Sequence, residues 1–211
     1  FQDSGLSAAA LHRARSPWRG MRTEVIGGQL LDISLEAAGS ESVELANSVN
    51  RYKTAAYTIE RPLHLGAAIA GASEELIAAF RGYGHDIGIA YQLRDDQLGV
   101  FGDPAVTGKP AGDDLREGKR TELLALALQR ADESDPQAAA TLRKLIGRTS
   151  DPQELSRLAQ IIADSGAPEE IERRIDALTR SGLQHLHAAQ VDPAVTEALE
   201  QLAIKATARR K

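Results

Sequence analysis

Gln92, Asp95 and Asp96 stand at i, i+3 and i+4, a spacing that places all three side chains on one face of a helix. Two adjacent carboxylates repel, and the arrangement is cheap only when it is solvated or when a divalent cation sits between the acids. Magnesium takes oxygen ligands, usually one or two carboxylates completed by waters and substrate phosphates. The pair is therefore either a solvated helix end balanced by Arg94 or a seat for such a cation.

The residues that follow bear on that choice. From Gly99 to Lys119 there are five glycines, two prolines and the cations Lys109, Arg116 and Lys119, a composition suited to a flexible loop that can bring positive charge over a phosphate. A surface loop without a role is the alternative. A Walker-type phosphate loop is excluded, because five residues separate Gly102 from Gly108 where that motif needs four, and Pro110 follows Lys109 in place of Ser or Thr. A second polar cluster, Lys53-Thr54, interrupts an otherwise apolar stretch. It fits a lysine reaching a diphosphate with a hydroxyl donor beside it, and equally a surface lysine laying its stem along an apolar face.

Helices must position these groups. Aromatic residues are only 4% of the 211, Ala, Leu and Ile abound, and alternating β-branched runs are few, so the fold is expected to be all-α. Leu76, Ile77, Phe80, Tyr83, Ile87 and Tyr91 recur at helical spacing and predict a helix from about Ser73 to Leu98, with Ser73 as its cap and Gly99 as its stop. Glu24 to Ala38 reads as a helix ended by Gly39, and Val43 to Ala70 as another, interrupted or kinked at Arg61-Pro62. Gly27-Gly28 inside the first costs roughly 1 kcal/mol per glycine relative to Ala, which implies close backbone contact with a neighbour or ligand. Asp135-Pro136, Asp151-Pro152 and Asp192-Pro193 each read as an N-cap acid before a first-turn proline, Glu154 completing a capping box. Pro168 opens a further helix with Ile171, Ile175, Leu178, Leu183 and Leu186 on its apolar side. No repeat or long linker divides the chain, so residues 1–211 are expected to form one domain.

Composition narrows the classes. There are 25 basic and 30 acidic residues, for a net charge of −5, and the two signs are interspersed, which disfavours nucleic acid as a partner. No apolar run approaches the roughly 18 residues of a membrane span. The absence of cysteine excludes disulfides and thiolate metal sites and fits a cytoplasmic location. The chain opens at Phe1 and its single methionine is Met21, so it is read as a segment of something longer. His185 and His187 lie about 200° apart around a helix and cannot chelate one metal. His64 and His85 are isolated, Trp18 beside Pro17 reads as a packing anchor, and Arg209-Arg210-Lys211 as a frayed end.

Taken in order, Glu24-Val25-Ile26-Gly27-Gly28-Gln29, Lys53-Thr54-Ala55-Ala56-Tyr57, Gln92-Leu93-Arg94-Asp95-Asp96, Lys109 and Gly118-Lys119-Arg120-Thr121 resemble the C-terminal two-thirds of trans-isoprenyl diphosphate synthases, of the polyprenyl synthetase family. The resemblance runs from about Trp18 to Leu124. It implies an isoprenoid synthase-type helical bundle around a central cavity. It also implies a magnesium-dependent head-to-tail prenyltransferase: an allylic diphosphate ionises, isopentenyl diphosphate attacks the cation, and a proton is lost. On this resemblance Asp95 is the principal metal ligand of the second aspartate-rich motif, with Asp96 and Gln92 assisting. Lys53, Lys109 and Lys119 neutralise the allylic diphosphate, Thr54 stands near the developing cation, and the protein works as a homodimer. A leaving diphosphate does require pre-placed cations and metal.

Two departures follow. The family's second motif has a third aspartate where this chain has Gly99, with Asp103 as a substitute. No Asp-Asp-x-x-Asp occurs in these residues, so the first aspartate-rich motif is expected upstream or lost. Without it the chain should bind magnesium diphosphate poorly and turn over nothing. The competing reading is a non-catalytic subunit of a prenyl synthase. A class I terpene cyclase fits the Lys53-Thr54 and Lys109 to Lys119 pattern less well.

Overall fold

The computed structural model describes residues 3–108 and 110–208, which form helices and no strand. The all-α expectation holds. Helix α1 (Ala8–Ala38) begins on Ser7, whose side chain accepts the Ala10 N–H, and ends on Gly39 in the left-handed region at φ 63°. It starts well before Glu24, because Pro17 lies inside it. A proline removes one hydrogen bond from the ladder, and that punctuation hid the first half of the helix.

The expected helix from 43 to 70 is one run wound in three ways: α2 (Val43–Val49), a π-helical segment (Asn50–Glu60) and α3 (Arg61–Ala70). The expected interruption at Arg61-Pro62 is where π winding returns to α, and Pro62 sits in the first turn of α3, where a missing N–H does no harm. π winding usually lasts a single turn, whereas here it persists for 11 residues. Glycines on both neighbours accommodate it. A Cβ on Gly84 or Gly88 would stand 2.5 Å from the Cα of Glu60 or Ala55, and one on Gly28 would run into the backbone of Lys53. The close contact expected at Gly27-Gly28 thus belongs to Gly28 alone, since Gly27 faces open space.

Helix α4 (Glu74–Phe101) is the central rod, capped by the Ser73 hydroxyl. It continues past Gly99 and stops at Gly102, for a reason that lies in the site. The π segment packs along one side of α4 and α10 (Ala167–His187) along another. Ile89, Ala90, Leu93 and Val100 of α4 share a core with α7 (Glu122–Ser134), α8 (Pro136–Leu145), α9 (Pro152–Asp164) and α10. Each fully buried aliphatic there contributes about 1.5–3 kcal/mol. Arg94 leaves α4 on its outer side, forking onto Glu172 at 2.5 and 2.7 Å and donating to the Thr207 carbonyl at 2.8 Å, the last residue of α11 (Pro193–Thr207). Its guanidinium is thereby committed to α10 and α11 and is not the counter-charge expected for Asp95 and Asp96.

Asp135, Asp151 and Asp192 cap α8, α9 and α11 as expected. The capping box at Asp151 does not form. The Glu154 carboxylate accepts the Thr149 hydroxyl, and the Asp151 N–H goes to Thr149 Oγ1 at 3.1 Å. His185 stands 3.7 Å from Asp86 and His187 meets Glu200, so the two histidines serve different contacts.

Candidate functional site

The C-terminal half of α4, the π segment, α1 and the loop before α7 enclose a cavity of about 210 Å³. Lys53, Thr54, Gln92, Asp95, Asp96 and Lys119, expected from the sequence, all line it, together with Asp32, Asn50, Arg120 and Thr121. Lys109 lies outside the described residues. Asp103 is spent elsewhere, accepting the Ala105 N–H at 2.8 Å as the cap of the short helix α5 (Pro104–Thr107).

A hydrogen-bond relay crosses the cavity wall. Thr54 Oγ1 donates to Gln92 Oε1 at 2.7 Å, and Gln92 Nε2 donates to Asp96 Oδ1 at 2.7 Å. Gln92 thus fixes both the hydroxyl and the carboxylate. Asp96 is 4% exposed and its Oδ2 has no hydrogen-bond partner. Burial pushes its pKa up to about 8; the Gln92 bond opposes this, while the nearby charges of Asp114 and Asp95 add to it. A buried carboxylate oxygen left open toward a polar cavity is what a hard cation or its waters would occupy.

Neither candidate lysine stands alone. Lys53 is paired with Asp32 of α1, and Lys119 with Asp114 of the short helix α6 (Asp113–Glu117). Burial works against the Lys119 ammonium, but the Asp114 carboxylate outweighs it and its pKa is raised. Asp114 reaches this position because residue 99 is glycine: a Cβ there would overlap its carboxylate. This is why the last turn of α4 carries a glycine at residue 99. Among the described residues no three His, Asp or Glu side chains are close enough to enclose a metal unaided, so Asp95 and Asp96 would supply only part of a coordination shell.

The sequence reading missed Asp32, Asn50, Arg120 and Asp114. Asp32 had a signal, standing one turn after Gly28 on the same face of α1. Asp114 had none, because its approach depends on the fold of the loop.

Residues 16–164 match the polyprenyl synthetase family, and the chain belongs to that family. It is 40% identical over 129 residues to a geranylfarnesyl diphosphate synthase of Aeropyrum pernix, covering 60% of this chain and 40% of that protein. It is also 40% identical over 113 residues to a geranylgeranyl diphosphate synthase of Mycobacterium tuberculosis, covering 54% of this chain and 32% of that one. A crystal structure of geranylgeranyl pyrophosphate synthase from Corynebacterium glutamicum, complexed with isoprenyl diphosphate and magnesium, superposes with a TM-score of 0.97. It shares 64% identity and covers 99% of this chain, which spans 58% of it. The isoprenoid synthase-type bundle is thereby the fold of this chain.

Proposed function

We propose that the protein containing this chain is a head-to-tail prenyltransferase that condenses an allylic diphosphate with isopentenyl diphosphate to a longer polyprenyl diphosphate. The observation that carries the reading is the relay from Thr54 through Gln92 to Asp96, which joins the Lys53-Thr54 pair and the aspartate pair in one cavity. Family membership and the ligands of the Corynebacterium relative support it.

Asp95 and Asp96 would hold magnesium, and the open Asp96 Oδ2 fits that use. When bound, the metal would neutralise charge growing on the leaving diphosphate. Lys53 and Lys119 supply fixed positive charge beside it, pre-placed by Asp32 and Asp114, so little reorganisation is needed as the bond breaks. Gln92 holds the Thr54 hydroxyl in the cavity wall, where an oxygen dipole would favour an allylic cation. Residues 1–211 act as one domain on this reading. The protein works as a cytoplasmic homodimer; Ile26, Leu30 and Ile33, 67%, 66% and 53% exposed on α1, support an apolar partner face, and no helix among the described residues is long and apolar enough to cross a membrane.

The test is incubation of the full-length protein with magnesium, farnesyl diphosphate and labelled isopentenyl diphosphate beside an Asp95→Ala control. A longer labelled diphosphate absent from the control is expected. Folded protein that yields no product with any allylic primer overturns the reading in favour of a non-catalytic subunit.

A further inference from the structure

Four buried side-chain polar atoms lack a hydrogen bond among the described residues, and three of them belong to residues lining the same cavity: Asp96 Oδ2, Asn50 Nδ2 and Arg120 Nε. One is an acceptor and two are donors. A buried polar atom left unmatched carries its whole desolvation cost, so three beside one cavity call for water or a ligand to complete them. Asn50 makes the point most directly. It is 5% exposed on the π segment that carries Lys53 and Thr54. Asparagine is also a poorer helix former than an aliphatic residue, so folding alone would favour leucine at this position.

We propose that Asn50 is a substrate-binding residue, its amide N–H donating to an oxygen of the diphosphate, with Arg120 Nε as a second donor. The set of open atoms matches one ligand chemistry. Diphosphate oxygens accept from Asn50 and Arg120, while a magnesium ion or its waters satisfy Asp96 Oδ2. An uncharged amide adds what the lysines cannot, a direction. Lys53 and Lys119, though held by Asp32 and Asp114, act as point charges without a preferred donor direction, whereas a buried Asn on a helix presents its donor at a fixed place. The proposal rests on the diphosphate reading of this cavity.

The full-length protein and its Asn50→Leu and Asn50→Asp variants would be titrated calorimetrically with inorganic pyrophosphate in magnesium, and melted without ligand. Asn50→Leu is expected to bind about tenfold more weakly, a loss of about 1.4 kcal/mol, with an unchanged or higher ligand-free melting temperature because an unmatched donor has gone. Asn50→Asp should bind more weakly still, since a carboxylate would face phosphate. In turnover, KM for the allylic diphosphate should rise more than kcat falls. Should Asn50→Leu not fold, Asn50→Ala in the same titration decides. Unchanged pyrophosphate affinity in Asn50→Leu, or a lower melting temperature with affinity intact, overturns the proposal. A wild-type protein that binds no magnesium pyrophosphate overturns instead the diphosphate reading beneath it.

Discussion

The Asp114 carboxylate fills the space that a side chain at residue 99 would need, so the loop acid and the helix glycine are two halves of one contact. Asp114 in turn holds Lys119 at the cavity. Gly99→Ala should expel Asp114 and separate it from Lys119, at a cost of about 1–3 kcal/mol, the usual range for overpacking. Urea denaturation would measure it. If the relationship is as described, Gly99→Ala should cost almost nothing in an Asp114→Ala background, since the two effects cannot be additive.

The Lys53–Asp32 pair makes a kinetic prediction. Hydrogen bonds to charged groups are worth about 1.5–3 kcal/mol, so Asp32→Asn should raise KM for the allylic diphosphate roughly tenfold by letting the ammonium wander. Steady-state kinetics of Lys53→Met and of the double variant should agree closely, because Asp32 acts through Lys53. A double variant markedly worse than Lys53→Met would show that Asp32 has a role of its own.

Tyr83 links α4 to α11 through a 2.7 Å hydrogen bond to the Leu199 carbonyl, and burial pushes its pKa up to about 12. The unfolded chain loses this proton near pH 10, so its contribution is complete below pH 10 and disappears as pH rises through about 12. The stability advantage of wild type over Tyr83→Phe should accordingly shrink across that interval in melts at stepped alkaline pH. An advantage that does not change with pH would contradict it.

Two alanine substitutions at glycine should differ in sign. Gly88→Ala would place its Cβ 2.5 Å from the Ala55 Cα, pushing the π segment outward, lowering the melting temperature and displacing Lys53 and Thr54. Gly27 has nothing within 4 Å, so Gly27→Ala should stabilise α1 by about 0.5–1 kcal/mol.

Much of the site was legible because its residues sit on regular helices, where spacing determines direction. Gln92, Asp95 and Asp96 share a face by arithmetic, and the polar Lys53-Thr54 pair stood out against apolar neighbours. The π winding left no such mark, since periodicity analysis assumes 3.6 residues per turn and Asn50 then reads as an ordinary polar position. Glycines misled in both directions. Gly99 reads as a stop because its true reason, the carboxylate of Asp114 on the short helix α6, comes from a segment whose path no local pattern gives. The C-cap at Gly39 and the proline-marked helix starts are legible because their chemistry is local.

Arg94 donates to Gln97 within its own helix, but its two long-range anchors, Glu172 and the Thr207 carbonyl, both lie beyond residue 164, where the family match ends. A cut there would also take Ile171 and Ile175, 0% and 2% exposed, out of the main core, each worth about 1.5–3 kcal/mol. Residue 164 is therefore no place to cut the protein. The stretch that carries no motif is a brace for the residue next to Asp95, so a clone trimmed to the recognisable family region would keep every signature residue and lose the support that holds them in place.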